Sequence, residues 1–351
     1  MNDSTEALDL LFEPVGGIEK FRQEYWPDRF VTAEGSPERL AALTGGRAMT
    51  SLEDVLAVYD NPVMVVGACV VDATGGITDR FLVPPGEALA WYEQGAALEM
   101  DFAHFFLPGM SHLVSAARKF FGLPGGTVAK GIVYAAKHGG GFPVHFDAYV
   151  NFVFQVAGEK VWRVRENENT TLPIQHYDLA QYPYLPEGVQ RVWTGEPPAE
   201  GLPDGREVVL RPGSMLFLPR GLWHCTASGE ATLSINITLG QPTWLDLVQH
   251  AVRRSLLDLD EWRELVWTDA DGELTPGARA TVERALREAG SRLSRLTPED
   301  LLRERDQALD PYQETQGSFR RSLGFARMLN AVPPAAPSQP SRQRSSSSSS
   351  S

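Results

Sequence analysis

A mainly β protein, an antiparallel sandwich or barrel with helices at its flanks, is the fold class the sequence predicts, on three observations. Residues 128–240 hold short segments rich in Val, Ile, Phe and Trp. Turn residues rather than helical stretches separate those segments, and beyond residue 243 the apolar spacing changes to three and four. At 351 residues, with 42% hydrophobic and 22% charged residues, the chain is long enough for about two domains and a sizeable core.

Composition excludes several functions. The 32 Lys and Arg against 45 Asp and Glu leave a net charge of −13, which argues against direct nucleic-acid binding and suits a basic protein or peptide partner. The longest apolar run, Val63 to Val71, is less than half of a membrane span, so no membrane partner is expected. The N-terminus Met1-Asn2-Asp3-Ser4-Thr5-Glu6 is acidic where a signal peptide is basic. Cys69 and Cys225 are far apart and form no CxxC pattern, which argues against a disulfide framework or a zinc knuckle. A cytoplasmic protein is expected.

Taken in order, residues 1–125 read as a mixed helix and strand region flanking the barrel. The core, 126–242, predicts strands at Gly131–Ala136, Tyr149–Ala157, Lys160–Val164, Glu207–Leu210, Ser214–Leu218 and Thr232–Leu239, punctuated by Gly-Gly-Gly, Gly-Glu, Asp-Gly and Pro-Gly. Within it, the proline-rich stretch 166–206 reads as one long inserted loop, of the kind that shapes a site on a barrel rim. Residues 243–331 read as helical: Leu245, Val248, Val252, Leu256 and Leu257 lie on one helix face. There Thr275-Pro276 and Thr297-Pro298 place a capping hydroxyl before a first-turn proline. Leu286, Leu293, Leu296, Leu301 and Leu302 could then pack as a small bundle, either covering the main domain or forming a homodimer. Residues 332–351, Pro- and Ser-rich, read as a disordered tail.

The chemistry concentrates in Gly139–Gly158, GGGFPVHFDAYVNFVFQVAG. On a strand, His145 and Asp147 share one face while Phe146 points away. An imidazole and a carboxylate side by side offer two ligands to a first-row metal. Further on, Gly213-Ser-Met-Leu-Phe-Leu-Pro219-Arg-Gly221-Leu-Trp-His224 combines a turn, a strand, a Pro-x-Gly turn and a histidine opening the next strand. This segment resembles the second cupin motif, G-x5-P-x-G-x2-H. The first motif, G-x5-H-x-H-x3-E-x6-G, fits Gly139, His145 and Gly158, with Asp147 at its second histidine and Asn151 at its glutamate. The ligand set becomes two histidines and one carboxylate, His145, Asp147 and His224. That facial triad leaves three positions open on Fe(II), room for a chelating 2-oxo acid and O2.

From about Phe21 to Leu239 the chain resembles the JmjC branch of Fe(II)- and 2-oxoglutarate-dependent oxygenases, bacterial cupin-like proteins related to ribosomal oxygenases and asparaginyl hydroxylases. The entry segment Phe21-Arg-Gln-Glu-Tyr-Trp-Pro-Asp is similar to theirs. The resemblance implies a double-stranded β-helix (jelly roll). It also implies a basic residue fifteen positions after the first ligand, here Lys160, that binds the distal carboxylate of 2-oxoglutarate. Asn151, which shares the parity of the ligands, Tyr134 and Asn236 are further candidates for co-substrate contact. Phe142 departs from the family, which often has a hydroxyl residue there. The implied activity is hydroxylation of a protein or peptide side chain, with a basic ribosomal protein or a peptide natural-product precursor as possible substrates.

Rival readings are few. A metal- or ligand-binding cupin acting as sensor or scaffold is the alternative, and another kind of metal-cupin enzyme is disfavoured by Asp147. His138-Gly139-Gly140-Gly141 imitates a lipase oxyanion loop, but no Gly-x-Ser-x-Gly elbow accompanies it. His104, His112, His138, His176 and His250 are expected on the surface, and Cys225 packing away from the pocket.

Overall fold

The structure, a computed structural model, describes residues 3–46, 49–71, 77–123, 127–265 and 267–301. The expected disordered tail, 332–351, and Leu302 of the expected bundle lie outside the described residues. Thirteen strands are present among the described residues: β1 (Val31–Ala33), β2 (Val63–Val71), β3 (Ile77–Val83), β4 (Ala97–Met100), β5 (Val128–Ala136), β6 (His145–Phe146), β7 (Val150–Ala157), β8 (Lys160–Arg165), β9 (Tyr177–Asp178), β10 (Arg206–Leu210), β11 (Met215–Leu218), β12 (Trp223–Ser228) and β13 (Thr232–Gly240). They form two antiparallel sheets. The larger has the order β1-β11-β7-β13-β5-β4-β2-β3 and the smaller β10-β8-β12-β6-β9. From β5 on, the chain crosses between sheets at β5 to β6, β6 to β7, β7 to β8, β10 to β11, β11 to β12 and β12 to β13, so the strands wind around a shared interior as a double-stranded β-helix. The six predicted strands are present with ends shifted by a few residues. Residues 1–125 also donate β1 to β4 to the larger sheet.

The larger sheet is covered on both faces, and this sets its residue pattern. Phe152 and Phe154 on β7, Phe217 on β11 and Ile235 and Ile237 on β13 face outward. They share one apolar cluster with residues of helices α1 (Asp3–Leu11), α2 (Ile18–Glu24), α3 (Leu52–Leu56), α4 (Pro85–Glu93) and α5 (Pro108–Phe120). Phe21 of α2 meets the Phe217 ring edge-on at 5.0 Å, and Phe121, just after α5, stacks on Phe152 at 5.6 Å. The alternate residues Asn151, Gln155, Ser234, Asn236 and Thr238 are buried on the opposite face, so a row of polar side chains lines the barrel interior. Between the sheets, Val153, Trp162, Val164, Leu210, Leu216 and Leu218 fill the other end. Burial alternates along β8, placing Lys160, Trp162 and Val164 inside and Val161, Arg163 and Arg165 outside.

The 166–206 insertion is not a plain loop. It contains β9 and a short helix, α6 (Glu187–Gln190), and β9 extends the smaller sheet beside β6. Its Tyr177, Val189 and Leu202 pack with Phe146 and Trp223 on the outer face of that sheet, an apolar anchor that a proline-rich sequence without periodicity conceals.

Beyond the barrel lie the helices α7 (Trp244–Leu256) and α8 (Pro276–Leu293), and residues 302–331 of the expected helical region lie outside the described residues. The Thr275 hydroxyl accepts from Ala278 N–H, and Thr297 caps in the same way through Asp300 N–H. The buried face differs from expectation. Leu247, Ala251 and Leu256 of α7 are buried, while Leu245, Val248 and Leu257 are exposed. Small Ala285 and Ala289 set the buried line of α8, and Leu286 faces out. Both helices thus carry a second apolar stripe, which periodicity alone cannot distinguish from the packed one.

Candidate active site

His145, Asp147, His224, Lys160, Asn151, Tyr134 and Asn236 all line one cavity of about 220 Å³ in the barrel interior. Every sequence-predicted site residue therefore reaches the same place. β6 and β12 pair with His145 opposite His224, which brings the ring centroids to 4.0 Å. Asp147 lies just past the end of β6, still on the cavity side, and Phe146 is fully buried on the other face. The backbone of Asp147 is held by Gly221, whose N–H donates to the Asp147 carbonyl at 2.9 Å. Gly221 has φ +95°, a conformation that favours glycine, which is why the Pro-x-Gly turn carries one.

Potential ligand atoms of His145, Asp147 and His224 all lie within 4.8 Å of one another, and the three residues are buried. His145 Nδ1–H donates to the Pro143 carbonyl at 2.7 Å and His224 Nδ1–H to the Leu222 carbonyl at 2.9 Å. Those bonds fix the tautomer in both rings and leave Nε2 with its lone pair free, as metal-ligating histidines require. Burial, reinforced by the neighbouring His224, pushes the His145 pKa down to about 3, and burial lowers that of His224. Burial opposes ionisation of Asp147, but the His176 hydrogen bond and the two imidazoles outweigh it and hold the carboxyl well below its usual range. Two neutral imidazoles and one carboxylate are the protonation states a divalent metal needs.

Lys160 is 2% exposed. Its Nζ sits 5.7 Å from the Tyr134 ring centroid, 5.4 Å from Phe142 and 5.7 Å from Trp162. No carboxylate pairs with it among the described residues, and burial alone pushes its pKa down to about 8. The departure at position 142 gains a role here, because the phenyl ring completes the aromatic cage. Asn151 donates Nδ2–H to Asp147 Oδ2 at 2.8 Å. The Oδ1 atoms of both Asn151 and Asn236 are buried without a partner. A caged, unpaired ammonium and unsatisfied amides are costly unless a ligand completes them. The residues fit a small dianion beside a divalent metal.

Sequence reasoning missed several wall residues. His176, expected on the surface, stands 37% exposed at the rim, with Nδ1 2.9 Å from Asp147 Oδ1 and Nε2 3.3 Å from Asp178 Oδ2. Burial disfavours its charge, yet the two carboxylates raise its pKa to about 9. Arg80 on β3 donates to Asp178 Oδ1 at 3.0 Å. Glu99 on β4 faces the cavity, its carboxyl pushed up to about 7 by burial and then by Asp101. Tyr149, Trp162 and Thr226 complete the wall. The parity of Tyr149, Trp162 and Thr226 with Asp147, Lys160 and His224 could have flagged those three, and no local signal marks the rest. Among the other histidines, His112 and His138 are exposed as expected and His250 is half-buried. His104 is buried, accepting Gly131 N–H at 3.0 Å, because the turn after β4 tucks it under β5. Cys225 is half-buried and lines a separate hollow behind β12, away from the metal triad.

A model of the JmjC domain matches residues 125–247. The chain is 46% identical to Bacillus subtilis (strain 168) YxbC over 326 residues, covering 92% of this chain and 98% of YxbC. It is 28% identical to Rattus norvegicus ribosomal oxygenase 1 over 48% of this chain and 27% of that protein. It is 25% identical to the Culex quinquefasciatus bifunctional lysine-specific demethylase and histidyl-hydroxylase NO66, over 70% of this chain and 36% of that protein. The chain thus spans about a quarter to a third of these two relatives. The Escherichia coli YcfD structure is similar over 81% of this chain and 68% of YcfD, with a TM-score of 0.47 at 16% identity. Among the described residues no helix is long and apolar enough to cross a membrane. With nearly its full length shared with YxbC, the chain belongs to the same family as that protein, and its residues 125–247 form a JmjC domain that contains the metal triad.

Proposed function

We propose that this protein is an Fe(II)- and 2-oxoglutarate-dependent oxygenase that hydroxylates a side chain of a protein or peptide. The observation that carries the reading is the pairing, in one cavity, of the His145, Asp147, His224 triad with the caged and unpartnered Lys160. Bound Fe(II) with 2-oxoglutarate would supply the oxidising chemistry: dioxygen is consumed, 2-oxoglutarate becomes succinate and carbon dioxide, and one oxygen atom enters a substrate C–H bond.

The chain's own groups divide the remaining work. His145, Asp147 and His224 hold the metal, their Nε2 atoms and carboxylate presented without a proton. Lys160 pairs the far carboxylate of the co-substrate, which returns to its ammonium the stabilisation that burial removed. Asn151 steadies Asp147 and, with Asn236 and Tyr134, offers polar contacts to the co-substrate. Trp162 lies nearly parallel to His224 at 5.8 Å, and with Phe142 it keeps water from the back of the site.

A protein or peptide substrate is supported by relatives whose names include ribosomal oxygenase and histidyl-hydroxylase, and by a net charge of −13 that suits a basic partner. In the same reading a homodimer forms through α7 and α8, whose Trp244, Leu245 and Leu286 are exposed; light scattering of the full chain should give twice the monomer mass. The function is tested by oxygen-dependent succinate release with basic peptides. Stoichiometric hydroxylated peptide supports it. Peptide-independent metal binding with no succinate under any condition would favour the sensor or scaffold reading.

A further inference from the structure

The inserted segment grips the metal triad through its carboxylate. Pro173 lies against Gly221, where an added Cβ would come within 2.9 Å of the proline ring, and Gly221 N–H holds the Asp147 carbonyl. Three residues on, His176 places Nδ1 2.9 Å from Asp147 Oδ1. β9 then pairs with β6 so that Asp178 stands opposite His145. Asp178 engages His176 Nε2 at 3.3 Å and Arg80 at 3.0 Å. A chain of contacts therefore runs from Arg80 on the larger sheet through the insertion to Asp147.

The two oxygens of Asp147 are consequently unlike. Oδ1 is committed to His176. Oδ2 accepts from Asn151 and lies 3.8 Å from His224 Nε2, so it is the oxygen facing the imidazoles. A carboxylate that bound a divalent metal through both oxygens would take one more of its six positions than one bound through a single oxygen.

We propose that His176 is a positioning residue for the metal site: it claims Asp147 Oδ1, is itself held by Asp178 and Arg80, and so restricts Asp147 to one ligating oxygen. The insertion thereby sets the number of positions left for co-substrate and O2. This rests on the assignment of His145, Asp147 and His224 as metal ligands.

The probe is Co(II), titrated into the metal-free full-length protein without 2-oxoglutarate, with affinity and the visible ligand-field spectrum as readouts. His176→Ala should weaken Co(II) binding by about 10- to 100-fold, the usual cost of losing a partner of a ligand, and should change the spectrum. His176→Gln keeps an amide donor for Oδ1 and should recover the wild-type spectrum and most of the affinity. Asp178→Ala should show a partial change and carries the same test should His176→Ala misfold. Wild-type affinity and spectrum in His176→Ala, or in Asp178→Ala if it alone folds, would overturn the proposal. Such a result joined to a raised peptide KM would make His176 a substrate contact instead. A wild-type protein that takes up no Co(II) would bring down the ligand assignment and this proposal together.

Discussion

Replacing Lys160 by methionine separates a structural lysine from a ligand-binding one. Its pKa of about 8, against an ordinary 10.5, means that the folded apoprotein binds the proton less tightly than the unfolded chain does. The cost is fully present below pH 8, about 3 kcal/mol at most. It is relieved as the pH rises from 8 towards 10.5, where the unfolded chain still holds the proton and the folded one does not. Methionine fills the same space without charge but forfeits the attraction of the three rings, about 1–2 kcal/mol at a desolvated site. The apo variant should therefore be more stable than wild type by about 1–2 kcal/mol at pH 7, with the gain shrinking above pH 8. Binding should change in the opposite direction. Without the ammonium, 2-oxoglutarate affinity should fall roughly 100-fold, the scale of losing one partner of a buried ion pair. Thermal melts across pH 6–10, with and without 2-oxoglutarate and Mn(II), read both effects. A variant that is less stable when apo yet keeps its ligand-induced stabilisation would refute the reasoning and make Lys160 a packing residue.

Three further outcomes follow from the same structure. Glu99→Gln should flatten the pH dependence of stability between pH 4.5 and 7, because the buried wild-type carboxyl, raised to about 7, costs stability as the pH rises through that window; urea titrations at stepped pH check it. Phe152→Ala removes a side chain 1% exposed amid Phe12, Phe21, Phe121 and Phe217 and should cost about 3–5 kcal/mol in chemical denaturation. Gly158→Ala should also destabilise. Its φ is +67° and the new Cβ would come within 2.0 Å of the Ala231 carbonyl oxygen, so the turn that places Lys160 must shift, and 2-oxoglutarate affinity should fall along with the melting temperature.

Much of this site was legible because its residues sit at fixed spacings on strands. The step of two from His145 to Asp147 and the Pro-x-Gly turn before His224 are properties of β geometry, and local sequence carries them, whereas Lys160 is singled out by the family resemblance rather than by alternation. The amide row of Asn151 and Asn236 could be read from alternation for the same reason. His176, Arg80 and Glu99 could not. Each reaches the cavity from an element whose place depends on long-range pairing: β9 against β6, β3 at the far end of the larger sheet and β4 beside β5. Flanking helices are expected from the sequence, but that they cover the larger sheet's outer face, carrying Phe152, Phe154 and Phe217, is not legible, since a strand buried on both sides does not announce which side meets what. On α7, two apolar stripes compete, and only packing decides that Leu247 and Ala251 go in while Leu245 and Val248 stay out.

The most direct test of the central claim is an anaerobic titration of metal-free protein with Fe(II) and then 2-oxoglutarate, followed by visible absorption, with His145→Ala alongside. A weak charge-transfer band that appears only when both are present, and only in the wild type, is the predicted result. Iron uptake with no such band at saturating 2-oxoglutarate would contradict the account, since the triad would then hold a metal without the co-substrate that Lys160 is proposed to anchor.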